Sequence, residues 1–153
     1  MDGRDCDERE LAAWLRLLET PGVGREAARR LLAAFGSPQA VLAAGTDDRR
    51  QFVGAASAAA LARPGERHET LLSDTLDWLR ADARHRLITL GDPDYPPALL
   101  ETADPPLMLH ARGRPELLQR SALAIVGSRN ATVQGRENAR AFAAHLGDAG
   151  LTI

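Results

Sequence analysis

The chain contains no lysine; all 19 of its basic residues are arginine. A phosphate loop of the Walker type needs a lysine on the terminal phosphates, so that class is excluded, as is Schiff-base chemistry. The single cysteine, Cys6, excludes an internal disulfide and suits a reducing cytoplasm. Cys6 itself reads as an inert residue in a tail. No apolar run approaches the roughly 20 residues that a membrane helix needs, so no membrane partner is expected. The opening MDGRDCDERE is acidic and lacks the apolar core of a secretory signal. His68, His85, His110 and His145 are scattered without metal-ligand spacing. No Ser/His/Asp arrangement is supported. The expectation is a protein without catalytic centre, metal or cofactor.

What is present suffices for a packed core. Apolar residues make up 44% of 153, enough for one ordinary domain or two small ones. The net charge of −2 argues against a generally basic surface, but its distribution is uneven. Leu109 to Arg140 holds six Arg against two Glu, a surplus of +4, so the remainder carries −6. A local basic patch on an acidic protein is compatible with steering a phosphate backbone to one face. A solvated arginine surface is the competing reading.

The first half reads as helical. Leu11, Trp14, Leu15 and Leu18 fall at i, i+3, i+4 and i+7. Thr20-Pro21-Gly22-Val23-Gly24 breaks that helix, and Ala28, Leu31, Leu32 and Phe35 repeat the spacing. Gly36 ends the second helix. Ser37-Pro38 supplies an N-cap with proline at the first helical position of a third, which runs to Ala44. An alanine-rich helix is expected over Arg50 to Ala62 and a longer one over Glu66 to Ala83, with Leu72, Leu76 and Leu79 on one side. Residues 8–82 are thus expected to form a helical SAM-like or helix-hairpin-helix-like domain.

The character changes at Arg86. Leu87–Leu90 and Leu107–Ala111 are strand candidates, separated by Asp92-Pro93-Asp94, Tyr95-Pro96-Pro97 and Asp104-Pro105-Pro106, a rigid irregular connection. Asp92 and Asp94 look like turn formers. Leu123–Val126 is apolar throughout, as expected of a parallel strand covered on both faces. A helix follows with Ala139, Phe142, Ala143 and Leu146 on one stripe. Gly150 ends it, and Leu151–Ile153 opens another strand. The fold class expected is α plus α/β: the helical domain, then residues 83–153 as the incomplete start of a Rossmann-like parallel-sheet domain.

Two stretches can carry function. In "LAIVGSRNATVQG" (Leu123–Gly135) a strand turns into a helix whose N-terminus attracts phosphate. Gly127 permits close backbone approach, Ser128 can donate, Arg129 can bind phosphate through two parallel hydrogen bonds, and Thr132 is a candidate N-cap. The dinucleotide fingerprint GxGxxG is missing, since the next glycine after Gly127 is Gly135. A tight turn with Arg129 on the surface is the structural alternative. In Pro21-Gly22-Val23-Gly24 the amides of Gly22 and Gly24, assisted by Arg25, can contact DNA phosphate without reading sequence. Such a hairpin is also an effective way to pack two helices at a steep angle.

Taken together, "LLETPGVGREAARRLLAAFGSPQAVLAA", "LGDPDYPPALLETADPPLMLHARG" and "LAIVGSRNATVQGRENARAFAAHLGDAGLTI" resemble the DNA-processing DprA (Smf) family, in order and spacing, from about Leu11 to Ile153. The resemblance implies cytoplasmic, non-enzymatic proteins that bind and protect single-stranded DNA during natural transformation and load the recombinase RecA onto it as homodimers. It further implies a basic DNA pocket to which the Gly127-Ser128-Arg129 turn contributes, with Arg129 as phosphate clamp. The family often has Pro-Tyr-Gly after the threonine, where this chain has Val133-Gln134-Gly135. Its further strands, dimer surface and RecA contact lie beyond the matching residues, so this chain is expected to correspond to the N-terminal portion only and to bind DNA weakly alone. At about 25 cal/mol per Å2 an uncovered strand and helix face forfeits several kcal/mol, leaving residues 86–153 marginal by themselves. Two rival readings stay open: a phosphoribohydrolase-like nucleotide-binding enzyme, and a helical partner-binding module with no role on DNA.

Overall fold

The computed structural model describes residues 7–153; Cys6 lies outside them. In chain order the elements are α1 (Glu8–Glu19), α2 (Arg25–Phe35), α3 (Pro38–Ala43), α4 (Thr46–Arg49), α5 (Ala55–Ala60), α6 (His68–Ala81), β1 (His85–Thr89), α7 (Pro97–Leu100), β2 (Met108–Arg112), a 3-10 turn (Pro115–Gln119) and α8 (Val133–Asp148).

The helix boundaries follow from local chemistry. Asp7 caps α1 by accepting from the amides of Arg9 and Glu10. Thr20 closes it: its extended backbone suits the residue before a proline, and its hydroxyl donates to the Arg16 carbonyl at 2.7 Å. Gly36, at φ +87°, ends α2 and returns its amide to the Leu32 carbonyl. Ser37 caps α3 through the Ala40 amide at 3.1 Å, with Pro38 at the start, as its sequence predicts.

Helix α1 is the hub, packing against α2, α3 and α6. Its Trp14 and Leu17 join Leu31, Val41, Val53, Ala58 and Leu61 in one core cluster. Leu11 and Leu15 join Leu72, Leu76 and Leu79 in a second. Strands β1 and β2 pair antiparallel, Leu87 opposite His110 and Ile88 opposite Leu109. Buried Leu87 completes the second cluster, and buried Leu107, just before β2, completes the first. Asp92 behaves as the expected turn former: its carboxylate accepts from the amide of Thr89 at 2.6 Å and from its hydroxyl at 3.0 Å. Buried Tyr95 donates its hydroxyl to the Pro106 carbonyl at 2.7 Å, tying the two proline-rich stretches together.

Three expectations are corrected. The helix over Arg50–Ala62 is interrupted: α4 ends at Arg49, Gly54 is extended (ψ 157°) and caps α5. Glycine is poor in a helix interior, and the break lets Val53, Ala58 and Leu61 all reach the core. The sheet is a two-stranded antiparallel hairpin, not part of a parallel one. The apolar run Leu123–Val126 forms no strand. Parallel pairing there is confined to one bridge, Ala122 to Thr152, made by Leu123 N–H to the Thr152 carbonyl (2.8 Å) and Thr152 N–H to the Ser121 carbonyl (3.0 Å). Burial on both faces does not occur: Val126 is 89% exposed, and Leu123 and Ile125 are also exposed. A strand is held by neighbours, and among the described residues the pairing stops at Leu123 with Thr152. On α8, Phe142 is exposed, while Ala139, Ala143 and Leu146 are half-buried.

Candidate nucleic-acid interface

The turn between Val126 and α8 is built by a cap. Thr132 is extended, and its hydroxyl oxygen accepts from the Gly135 amide at 3.1 Å, which starts the 16-residue α8. The Thr132 carbonyl takes the Arg136 amide at 3.1 Å. The amides of Val133 and Gln134 precede the first intrahelical bond and point away from the helix. Ser128 Oγ accepts from the Asn130 amide at 3.2 Å, which tightens the turn.

These residues enclose an open cleft of about 500 Å3 lined by Val126, Gly127, Ser128, Thr132, Gly135 and Arg136, among others. Added bulk at Gly127 would meet nothing within 4 Å, so its backbone faces open space. The structure thus brings three of the four sequence-derived candidates, Gly127, Ser128 and Thr132, to one cleft. Arg129 is exposed next to them and is not among the lining residues. Arg136, which sequence reasoning missed, does line the cleft, with its guanidinium donating to the Ala131 carbonyl at 2.7 Å. Its signal was available: an arginine one turn into a helix returns to the helix start.

The arginines sort into two groups. Arg25 and Arg29 bind Asp104 at 2.5 and 2.8 Å, and Arg84 and Arg112 share Asp82. Arg120, Arg129, Arg136 and Arg140 form no ion pair among the described residues. These four arginines place uncommitted positive charge along the segment that holds the turn, as Arg16, Arg49, Arg63 and Arg67 do in the helical half.

The glycine hairpin presents a different picture. Gly22 has φ +77°, and a side chain there would collide with the Ser57 hydroxyl of α5. Gly24 faces open space. Arg25, the third candidate there, is occupied by Asp104 in the proline-rich connection, and Arg29 also donates to the Pro105 carbonyl at 3.0 Å. The hairpin joins α2 to its surroundings on both sides.

Among the described residues no group of three or more His, Cys, Asp or Glu is placed to hold a metal, and no helix is long and apolar enough to cross a membrane. His85 instead stacks on Trp78 with ring centroids 4.2 Å apart and contacts the Trp78 carbonyl through Nδ1 at 2.6 Å.

A helix-hairpin-helix unit followed by a hairpin and a capped turn–helix defines a class, and comparison with known sequences gives the family. Residues 8–47 match the family described as the DprA-like N-terminal HHH domain. Residues 86–153 match the DNA recombination-mediator protein A family. Protein Smf of Escherichia coli (strain K12) is 37% identical over 82 residues, which covers 54% of this chain and 22% of that protein. The chain belongs to the DprA (Smf) family. It matches about a fifth of the length of that curated relative.

Proposed function

We propose that the chain binds single-stranded DNA through the Gly127–Thr132 turn, with phosphate held between the exposed amides at the start of α8 and the guanidiniums of Arg129 and Arg136. The observation that carries this reading is that Arg129, Arg136 and Arg140 have no carboxylate partner among the described residues, beside an open cleft at the start of α8. Arg129 follows Ser128 of that cleft in the chain and is exposed, which leaves its guanidinium available to a phosphate. Contacts to backbone phosphate tolerate any base sequence, which suits a protein that handles DNA of unknown sequence.

On this reading the protein works in the cytoplasm as a recombination mediator without chemistry of its own. It protects incoming single strands in natural transformation, hands them to RecA, and acts as a homodimer in the longer family proteins. The parallel bridge at Ala122 and Thr152 is read as the first rung of a Rossmann-like sheet, and the exposed Val126 and Phe142 as faces that further strands and helices cover. Alone, the chain binds weakly. The Gly22, Gly24 and Arg25 hairpin supplies at most a secondary contact, because Asp104 holds Arg25; that ion pair favours the reading of the hairpin as a packing device.

Fluorescence anisotropy of a labelled oligothymidylate tests the proposal. Binding weakens in Arg129→Ala and in Arg136→Ala and falls as salt rises. Incubation with nucleoside monophosphates releases no free base; release would favour the phosphoribohydrolase-like alternative.

A further inference from the structure

A cavity of about 740 Å3 opens between the C-terminal end of α1 and the start of α6. Arg16, Thr20, Arg63, Arg67 and His68 are among its lining residues. Two buried polar atoms of these lining residues, Nε of Arg16 and Nδ1 of His68, have no hydrogen-bond partner among the described residues. His68 is only 7% exposed. Arg16 spends one Nη2 hydrogen bond, of 2.5 Å, on the Leu61 carbonyl.

Arg16 is half-buried, and the buried guanidinium of Arg49 lies near enough for its charge to act on it. Arg49 is 3% exposed, its Nη1 is unpartnered, and its Nε reaches only the Gly45 carbonyl at 3.4 Å. Burial and, after it, the charge of Arg49 lower the pKa of Arg16. Neither arginine forms an ion pair among the described residues. A buried cation without a counter-charge is costly, and a half-buried one close to it adds to that cost. A bound anion relieves that cost.

The cavity offers what an anion requires. His68 brings the start of α6 to it, its amide held by the Gly65 carbonyl at 3.1 Å, and Arg67 at the cap position supplies no side-chain cap, so its guanidinium is left to the cavity. Exposed Arg63 and Arg67 stand at its mouth. Glu19 and Glu66 also line it, but both are exposed and neither pairs with these arginines. A tetrahedral oxyanion can accept from several such donors at once.

We propose that this cavity binds a phosphoryl group, as free phosphate or as the phosphate of a nucleotide chain, through Arg16 and His68 with Arg63 and Arg67 at its mouth. The site is separate from the Gly127–Thr132 turn and does not depend on it.

The test follows the imidazole NMR signals of His68 in the full chain. One arm adds inorganic phosphate against chloride at matched ionic strength; the other adds oligothymidylate. Saturable displacement of the His68 signals is expected, weakened at least fivefold in the Arg63→Ala/Arg67→Ala double variant, whose substitutions are exposed and leave the circular dichroism unchanged. A response to phosphate assigns a free anion, and a response to oligothymidylate alone assigns a backbone phosphate. Arg129→Ala leaves the His68 response intact, which separates this site from the turn. No saturable displacement in either arm, an equal effect of chloride, or a response that the double variant retains would overturn the proposal.

Discussion

Thr132 Oγ1 accepts from the Gly135 amide at 3.1 Å, and that one bond sets where α8 begins and so where its free amides point. Thr132→Ala is expected to cost about 1 kcal/mol, and Thr132→Ser to retain most of the cap. Amide hydrogen exchange of Gly135 and Arg136 checks this: several-fold faster exchange in the alanine variant, near-native exchange in the serine one.

The Gly22–Ser57 contact makes a second prediction. Gly22 sits at φ +77° with α5 against it, so Gly22→Ala meets both an unfavourable backbone region and the Ser57 hydroxyl. The expected loss is about 1–2 kcal/mol from the backbone alone, plus the clash. Adding Ser57→Ala recovers the clash and not the backbone strain. Urea unfolding of the single and double variants measures the split; full recovery in the double variant would show that backbone strain is negligible.

Asp82 gives the pH dependence. Hydrogen bonds from Arg84, side chain first and then backbone, and the charges of Arg84 and Arg112 hold its carboxyl well below the usual carboxylate range. A carboxyl depressed in the folded state contributes stability above its unfolded value, about 3.9, and loses it as pH falls toward the folded value. Arg84→Ala moves the Asp82 titration up toward the ordinary range, read from the carboxyl carbon signal. A titration unchanged by that substitution would remove Arg84 as its cause.

How much of this was legible in the sequence depended on the range of the interaction. The i, i+3, i+4 spacing of Leu11, Trp14 and Leu15, the Ser37-Pro38 start and the Thr132 cap are local, and all three appear as read. The break at Gly54 was missed because alanine richness favours helix, whereas the core selects where Val53 and Leu61 point. The run Leu123–Val126 carried a strong strand signal, but a strand is a pairing, and only one rung forms. The link from Arg25 and Arg29 to Asp104 joins distant segments and leaves no local pattern. The half-buried Arg16 and the buried Arg49 left none either, since an arginine between Leu15 and Leu17, or between Asp48 and Arg50, reads as a solvent-facing position.

The account rests most heavily on Arg129 gripping DNA phosphate, and the salt dependence of oligothymidylate binding tests that most directly. Each phosphate contact to a single strand contributes roughly 0.7 to the slope of log affinity against log salt. Arg129→Ala should weaken binding roughly tenfold at low salt, as loss of a charged hydrogen bond implies, and lower the slope by about one contact's share. An unchanged affinity with an unchanged slope would place the DNA elsewhere and contradict the account.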